Sequence, residues 1–419
     1  VRTVSERTLL FLVGAVQFIN VLEFMMVMPL GPDFAKALGI SAAHLGVIGG
    51  SYTAAAAVSG IVASFFIERL DRRLALAGAV CGLMLATLAA TFAFNLTTLL
   101  SARVMAGLFG GPAFSVVMAI VADNIPFERR GKAMGTVMGA FAAASVIGVP
   151  TGLELARIGG WRMPFFAVAG LGAVIAGYAI VKLPPLRAHI EAAARATEKR
   201  AGGLAGLWTT IKRPHAAASM MTGALLMLTG FMLFPNIAAY VQGNLHYPRE
   251  KMGLLYFVGG TFSFVCSRLV GRFVDRYGAF AVSTVGSVAF ASVVYFGFVH
   301  YVPAVPVLVF FTCFMLSTNI RNVPYMTQAS QVPRPDERAS FMSLQSSVQH
   351  MSSALGAFLS SELLSELPDH QLVGMDRVGW VSIGLVAFVP PLMLFVQRRV
   401  RADAAGRPPL GVAPMAAEH

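Results

Sequence analysis

Charge is what this chain is short of. Only 12% of its 419 residues are Asp, Glu, Lys or Arg, against about a quarter in soluble domains. So little polar surface excludes a water-soluble globular protein of this length. Cysteine is scarce as well. Cys81, Cys266 and Cys313 lack metal-ligand spacing, and an odd count excludes a complete disulfide framework. All three fall in apolar stretches and read as small packing residues. There is no G-x-x-x-x-G-K-[ST] phosphate loop, which argues against an ATP-driven pump. There is no H-E-x-x-H helix and no G-x-S-x-G elbow, which argues against an enzyme. No A-x-A-like cleavage site follows the first apolar run. That run is too long for a signal-peptide core and reads as a membrane helix.

What is present is apolar length. Hydrophobic residues make up 56% of the chain, and the mean hydropathy is +0.70. Crossing a bilayer takes about 20 mostly apolar residues. Twelve stretches qualify, near 8–31, 43–67, 74–94, 98–123, 133–156, 163–183, 216–243, 252–274, 279–301, 304–327, 339–364 and 376–397. Runs of this length must be helices, because lipid offers their backbone groups no partners. A transmembrane barrel would show short alternating strands instead.

Net charge is +12. It marks topology here rather than a nucleic-acid partner. Arg69, Arg72 and Arg73 follow the second stretch, and Arg129, Arg130 and Lys132 the fourth. A basic segment from Lys182 to Arg213 follows the sixth, and Arg276, Arg334, Arg338, Arg398, Arg399 and Arg401 continue the series. The alternate loops are poorer in Lys and Arg. By the positive-inside rule both termini are expected in the cytoplasm.

Two loop motifs recur. Glu68-Arg69 in "SFFIERLDRR" matches Asp275-Arg276 in "GRFVDRYGAF", 207 residues on. Glu128-Arg129 in "PFERRGKAMG" matches Glu337-Arg338 in "RPDERASFMS", 209 residues on. Near-equal offsets indicate a duplicated six-helix half, a common feature of transporter folds. The expected organisation is an N-terminal bundle (1–183), a cytoplasmic linker (184–215), a C-terminal bundle (216–397) and a cytoplasmic tail (398–419). The linker has the composition of an interfacial helix or of a solvated connector.

With "GRFVDRYG" between its eighth and ninth stretches, the chain resembles the major facilitator superfamily over nearly its whole length. The resemblance implies an all-α polytopic membrane protein of twelve transmembrane helices in two pseudo-symmetric six-helix bundles. The family's loop signature is G-x-x-x-D-R-x-G-R-R. The second copy keeps Gly271, Asp275, Arg276 and Gly278, whereas the first has Ser64, Glu68, Arg69, Asp71 and Arg72. In the family such loops lock one face through acid–base contacts. The alternative is that they cap helices and set topology. "RVMAGLFGGPA" from Arg103 resembles the R-x-x-x-G motif of proton-driven exporters. "GVPTG", with Gly148, Pro150 and Gly152, resembles the helix-5 motif of antiporters, although Val149 separates Gly and Pro. "GWRMPFF" and "LEFMMVMPLGP" are similar to segments of bacterial drug- and sugar-efflux members. Gly139, Ala143, Gly148 and Gly152 would also let another helix approach closely, and Pro150 can bend the fifth helix.

Charges inside the membrane cost about 2.5–3.5 kcal/mol each and usually face a cavity and a partner. The candidates are Glu23, Arg103, Arg321 and His350. At 1.5 Å per residue, Glu23 lies about 5 Å and Arg103 about 10 Å outside the bilayer centre. The two can therefore meet. Burial opposes a charged carboxylate and a nearby Arg favours it, so proton binding at Glu23 would depend on geometry. A static ion pair is the alternative. His350 is a possible second titrating site, or a neutral imidazole bonded to Gln345 or Gln349. "STNIRNVPY" groups Arg321, Asn319, Asn322 and Tyr325 as substrate contacts or a gate. Gln345, Gln349, Asn20 and Met26 join the expected substrate contacts, Met because flexible side chains suit varied ligands.

The expected function is proton-coupled efflux, by antiport, of small amphipathic molecules or drugs through alternating access. The alternatives are an exporter or symporter of an anionic metabolite, sugar or lipid-like solute, and a non-transporting receptor on the same fold. Two membrane arginines against one clear acid favour an anionic solute over a lipophilic cation. No cofactor or metal is expected beyond a proton gradient, and no nucleic acid. The partners are substrate, protons and lipids, for a monomer in a bacterial inner membrane.

Overall fold

The computed structural model describes residues 5–64, 70–186, 213–333 and 338–405. Six long helices form the first half: α1 (Glu6–Val27), α2 (Leu45–Ser64), α3 (Arg72–Thr91), α4 (Leu96–Asn124), α5 (Phe127–Ala143, a π-turn Ala144–Gly148, then Val149–Gly159) and α6 (Met163–Lys182). Six more form the second. They are α7 (Pro214–Leu233, resuming as Ile237–Gly243), α8 (Met252–Tyr277), α9 (Ala279–Val294 and Tyr295–Val299), α10 (Val307–Ala329), α11 (Arg338–Leu363) and α12 (Met375–Val386 and Val389–Ala405). All twelve expected spans are present.

Several ends differ from expectation for identifiable reasons. α1 stops at Val27 because Pro29 cannot continue its hydrogen-bond ladder. A short helix Gly31–Leu38 follows, with Pro32 in its first turn and Gly39 closing it at φ 65°. α5 starts at Phe127, six residues early, because its first turn carries the charged "FERRGK" that an apolar window excludes. α12 runs on to Ala405, so the segment expected as a tail from 398 begins as helix. The linker from 187 to 212 lies outside the described residues, as do Glu68 and Arg69.

Among the described residues, eleven segments are long and apolar enough to cross a bilayer. The remaining helix, α11, has 26 residues but is rich in Ser and Gln. Its position explains this: it is wedged against α2 and α7, so its polar side chains face protein rather than lipid.

The halves meet along two seams, α2 against α11 and α5 against α8. Small residues allow both. A Cβ on Gly46 would lie 2.2 Å from the Ala357 carbonyl oxygen, and one on Gly50 would lie 2.9 Å from the Phe358 ring. A Cβ on Gly260 would lie 3.1 Å from the Ser145 carbonyl oxygen. These contacts gather toward the face opposite the chain termini. On that face β1 (Ser365–Glu366) and β2 (Leu372–Val373) form a hairpin between α11 and α12.

Two polar contacts also join the halves there. Arg249 Nε donates to Asp33 Oδ1 at 2.7 Å. The Ala42 N–H, at the start of the turn into α2, donates to Glu366 Oε2 at 2.5 Å. Burial pushes the Glu366 carboxyl up. Hydrogen bonds from His370, the Ala42 N–H and Ser41 outweigh it and hold the group below its ordinary value. Neither loop was expected to lock anything.

The described loop residues expected to gate the terminus face make the following contacts. Asp71 caps α3, accepting from the Arg73 N–H at 2.9 Å and the Leu186 N–H at 3.0 Å. Arg72 Nε bonds Asp123, at the end of α4, at 3.0 Å. Both contacts stay inside the first half, which supports capping. In the second copy Gly278 ends α8 at φ 85°, a conformation that favours glycine. Gly271 meets no neighbour, and Asp275 and Arg276 are exposed, Arg276 over the Tyr277 ring. In "GWRM", Arg162 donates to the Thr91 and Ala93 carbonyls at 2.7 and 2.9 Å, satisfying the end of α3.

A Ser361→Cys reporter on α11 tests this closed face in protein whose own three cysteines are replaced by Ser. Gly46→Val drives a side chain into the Ala357 carbonyl and should raise maleimide labelling severalfold. The Glu366 carboxyl is depressed, so its contribution is present above the ordinary carboxylate range and lost as pH falls through the lowered value. Labelling, divided at each pH by that of the same protein unfolded in denaturant to cancel the thiolate dependence of the maleimide reaction, should therefore rise in acid, and Glu366→Gln should flatten that rise. Unchanged labelling in both cases would show that neither contact holds the face.

Candidate functional site

The site begins with glycine on α4. Arg103 is followed by Gly107, Gly110 and Gly111. A Cβ on Gly107 would lie 2.3 Å from the Tyr52 carbonyl oxygen, and one on Gly111 would lie 2.4 Å from the Ala56 carbonyl oxygen. One on Gly110 would lie 2.2 Å from the Tyr52 hydroxyl. The glycines thus admit the α2 backbone and bring Tyr52 beside Arg103. The R-x-x-x-G spacing has a direct cause: one turn after the arginine, the helix must be bare.

Arg103 Nη1 donates to Glu23 Oε1. Both side chains are out of solvent, at 1% and 0% exposure. The Arg103 guanidinium lies over the Tyr52 ring, 4.8 Å from its centroid. The Tyr52 hydroxyl donates to Asn20 Oδ1 at 3.1 Å, and Asn20 Nδ2 donates to the Gly110 carbonyl at 3.1 Å. These bonds close a circuit through α1, α2 and α4. Among the described residues, Glu23 Oε2 and Arg103 Nε are buried without a hydrogen-bond partner. A carboxylate with one oxygen bonded to a cation and the other unbonded can take a proton without first breaking a bond to the protein.

The other expected site residues are placed as follows. Asn20 is a brace within this circuit rather than a free substrate contact. Met26 is buried beneath α5 and is likewise unavailable. Leu22 and Met26, one turn apart on α1, sit over Gly148 and Gly152, one turn apart on α5. Pro150 follows the π-turn and presents its carbonyl to Gly253 of α8. The GVPTG segment is therefore a packing surface for two neighbours. At Gly139 nothing approaches, contrary to expectation.

"STNIRNVPY" does not form one polar patch. Successive helical residues are about 100° apart, so Asn319 lies on the far side of α10 from Arg321. Arg321 is 0% exposed. It donates to Thr229 Oγ1 at 2.9 Å and to the Leu226 carbonyl at 3.3 Å, both on α7, and lies 3.5 Å from the Phe290 ring centroid on α9. It thus faces the interior of its own half. Asn322 keeps a buried, unbonded Oδ1. Tyr325 is buried against Gly223 and lies 3.5 Å from Gln349 Nε2. Gln345 is buried with an unbonded Oε1. His350 bonds neither glutamine. Its Nδ1 pairs with the Ser346 carbonyl, one turn back, at 2.8 Å, and so carries the hydrogen. The nearest acceptor on its own helix wins.

Sequence reasoning missed Tyr52, Phe24, Asp33, Arg249 and Glu366. Tyr52 had a visible signal, being the one aromatic residue in the small-residue run "GGSYTAAAA". The latch residues had none, since charged loop residues are ordinary.

Two six-helix halves joined by glycine seams, the first holding a buried ion pair, define a polytopic membrane-transporter fold. The Major Facilitator Superfamily profile matches residues 13–357, and the chain belongs to that family. It is 26% identical over 266 residues to a chloramphenicol resistance protein of Streptomyces lividans, covering 63% of this chain and 66% of that protein. It is 25% identical over 251 residues to inner membrane transport protein YdhP of Escherichia coli K12, covering 59% and 62%. The matched stretch is thus just under two thirds of these relatives' lengths. Among solved structures, a bacterial homologue of the lysosomal transporter Spinster, inward-facing and unoccupied, aligns over 97% of this chain and 100% of that chain. Its TM-score is 0.71 at 14% identity. A D-xylose–proton symporter aligns over 92% and 96% with TM-score 0.72, also at 14% identity.

A double-mutant cycle tests whether the ion pair acts as a unit. Removing one partner of a buried pair costs about 3–5 kcal/mol, because the other is left buried and unpaired. Arg103→Met alone should destabilise by that order. Glu23→Gln/Arg103→Met should cost clearly less than the sum of the single changes. Detergent-phase thermal unfolding measures this, and additive losses would show that the two side chains do not interact.

Proposed function

We propose that this protein exports small amphipathic molecules in exchange for protons, by alternating access of one central site to the two membrane faces. The observation that carries the reading is the Glu23–Arg103 pair, with one carboxylate oxygen bonded to the guanidinium and the other unbonded. Ionised Glu23 holds Arg103 and so ties α1 to α4. A proton on Oε2 removes the charge that makes this attraction strong. Arg103 stays over Tyr52, and α1 gains freedom relative to α2 and α4. The coupling needs only the proton gradient. The drug-resistance name of the Streptomyces relative supports export.

The basic loops support a cytoplasmic position for the terminus face by the positive-inside rule. The closed hairpin face would then be the outer one. The anionic-solute alternative loses its main support. It rested on two arginines facing a cavity, whereas Arg103 is committed to Glu23 and Arg321 to Thr229 and Leu226.

Proteoliposomes with an imposed pH gradient test the coupling. Glu23→Gln should reduce gradient-driven transport to background while substrate-for-substrate counterflow continues. Counterflow also reports that the protein is folded. Gradient-driven transport at the wild-type rate in Glu23→Gln would remove Glu23 from the coupling mechanism.

A further inference from the structure

A continuous series of ring contacts runs between the two buried arginines and crosses the interface between the halves. It starts with Arg103 over Tyr52. Tyr52 meets Phe24 at 5.2 Å between centroids, and Phe24 of the first half meets Phe231 of the second at 6.0 Å, stacked at 27°. Phe231 then meets Phe234 at 6.2 Å, and Phe234 meets Phe314 at 6.4 Å. Phe314 meets Phe290 at 5.8 Å, and Phe290 carries Arg321.

Burial along the series is uneven. Tyr52, Phe314 and Phe290 are buried, whereas Phe24, Phe231 and Phe234 keep part of their surface uncovered. A half-covered ring on α1 or α7 that touches the opposite half borders the space between the halves. Phe24 is also the residue next to Glu23, and its ring rests on Tyr52, which supports Arg103.

We propose that Phe24 and Phe231 are the two walls of a binding site for an aromatic ring of the transported molecule. Its occupancy would reach Glu23 through Tyr52 and Arg103. This deepens the exporter reading and rests on it. Inserting a guest ring exchanges one ring–ring contact for two, so an aromatic guest gains where a saturated ring of the same size does not. Insertion also parts α1 from α7, so the guest binds the parted arrangement of the halves better and shifts the equilibrium toward it. The same movement shifts Tyr52, whose ring and hydroxyl position Arg103 and Asn20.

Matched water-soluble probes test this on the purified full-length protein. Benzyltrimethylammonium is compared with cyclohexylmethyltrimethylammonium, and phenylacetate with cyclohexylacetate, by equilibrium binding. In whichever pair binds, the phenyl member should bind roughly 2- to 10-fold more tightly. Phe24→Leu or Phe231→Leu should abolish that preference, bringing the phenyl and cyclohexyl members to the same affinity, and Phe24→Tyr should restore it. Proton uptake or release on phenyl binding, followed in weakly buffered solution, should vanish in Tyr52→Leu. A missing preference, one that survives both Leu substitutions, or no binding of any probe would overturn the inference. A ring preference together with wild-type gradient-driven transport in Glu23→Gln would keep the aromatic site and discard the coupling reading instead.

Discussion

A carboxylate and a guanidinium held together away from water set the terms for the first half of this protein. Neither is tolerable alone in that position, so each depends on the other, and the surrounding helices must keep them in register. The surrounding sequence follows from that requirement. Gly107, Gly110 and Gly111 clear α4 so that α2 can bring Tyr52 over Arg103. Asn20 fixes α1 against both. Leu22 and Met26 lock the opposite side of α1 into Gly148 and Gly152. Glu23 is thus held by close packing on one side and by charge on the other, and only the charge can be switched by a proton.

The second half repeats the architecture without the acid. Arg321, like Arg103, lies on the fourth helix of its half, reaches the first helix and stacks on an aromatic ring. Its partners are a hydroxyl and a carbonyl, which do not titrate near neutral pH. A duplicated fold with a carboxylate in only one copy divides the labour. On the proposed reading the first half responds to protons and the second offers a fixed counterpart. Phe24 and Phe231 are where the responsive side touches the fixed one.

Much of this was legible in the sequence. Twelve spans, the duplicated half and the meeting of Glu23 with Arg103 follow from helical rise, apolar length and the cost of lone charges in lipid. What was not legible depends on direction around a helix axis. Asn319 and Arg321 are neighbours in sequence but point to opposite sides of α10. Met26 looked like a ligand surface and is a knob in a glycine hole. His350 had two glutamines in reach on paper and took its own helix's carbonyl. Contacts between loops distant in the chain, such as Asp33 with Arg249, carry no periodic signal at all.

The closed face shows how such a molecule can stay closed and still open. Its two polar links join partly exposed groups. A partly exposed ion pair such as Asp33–Arg249 contributes on the order of 1 kcal/mol, and a hydrogen bond to a charged group such as Ala42 to Glu366 about 1.5–3 kcal/mol. The seams beneath bring glycines against backbone oxygens and, at Gly50, against the Phe358 ring. The free energy that holds this face closed is therefore spread over several terms of a few kcal/mol or less, so no single contact at the mouth dominates it.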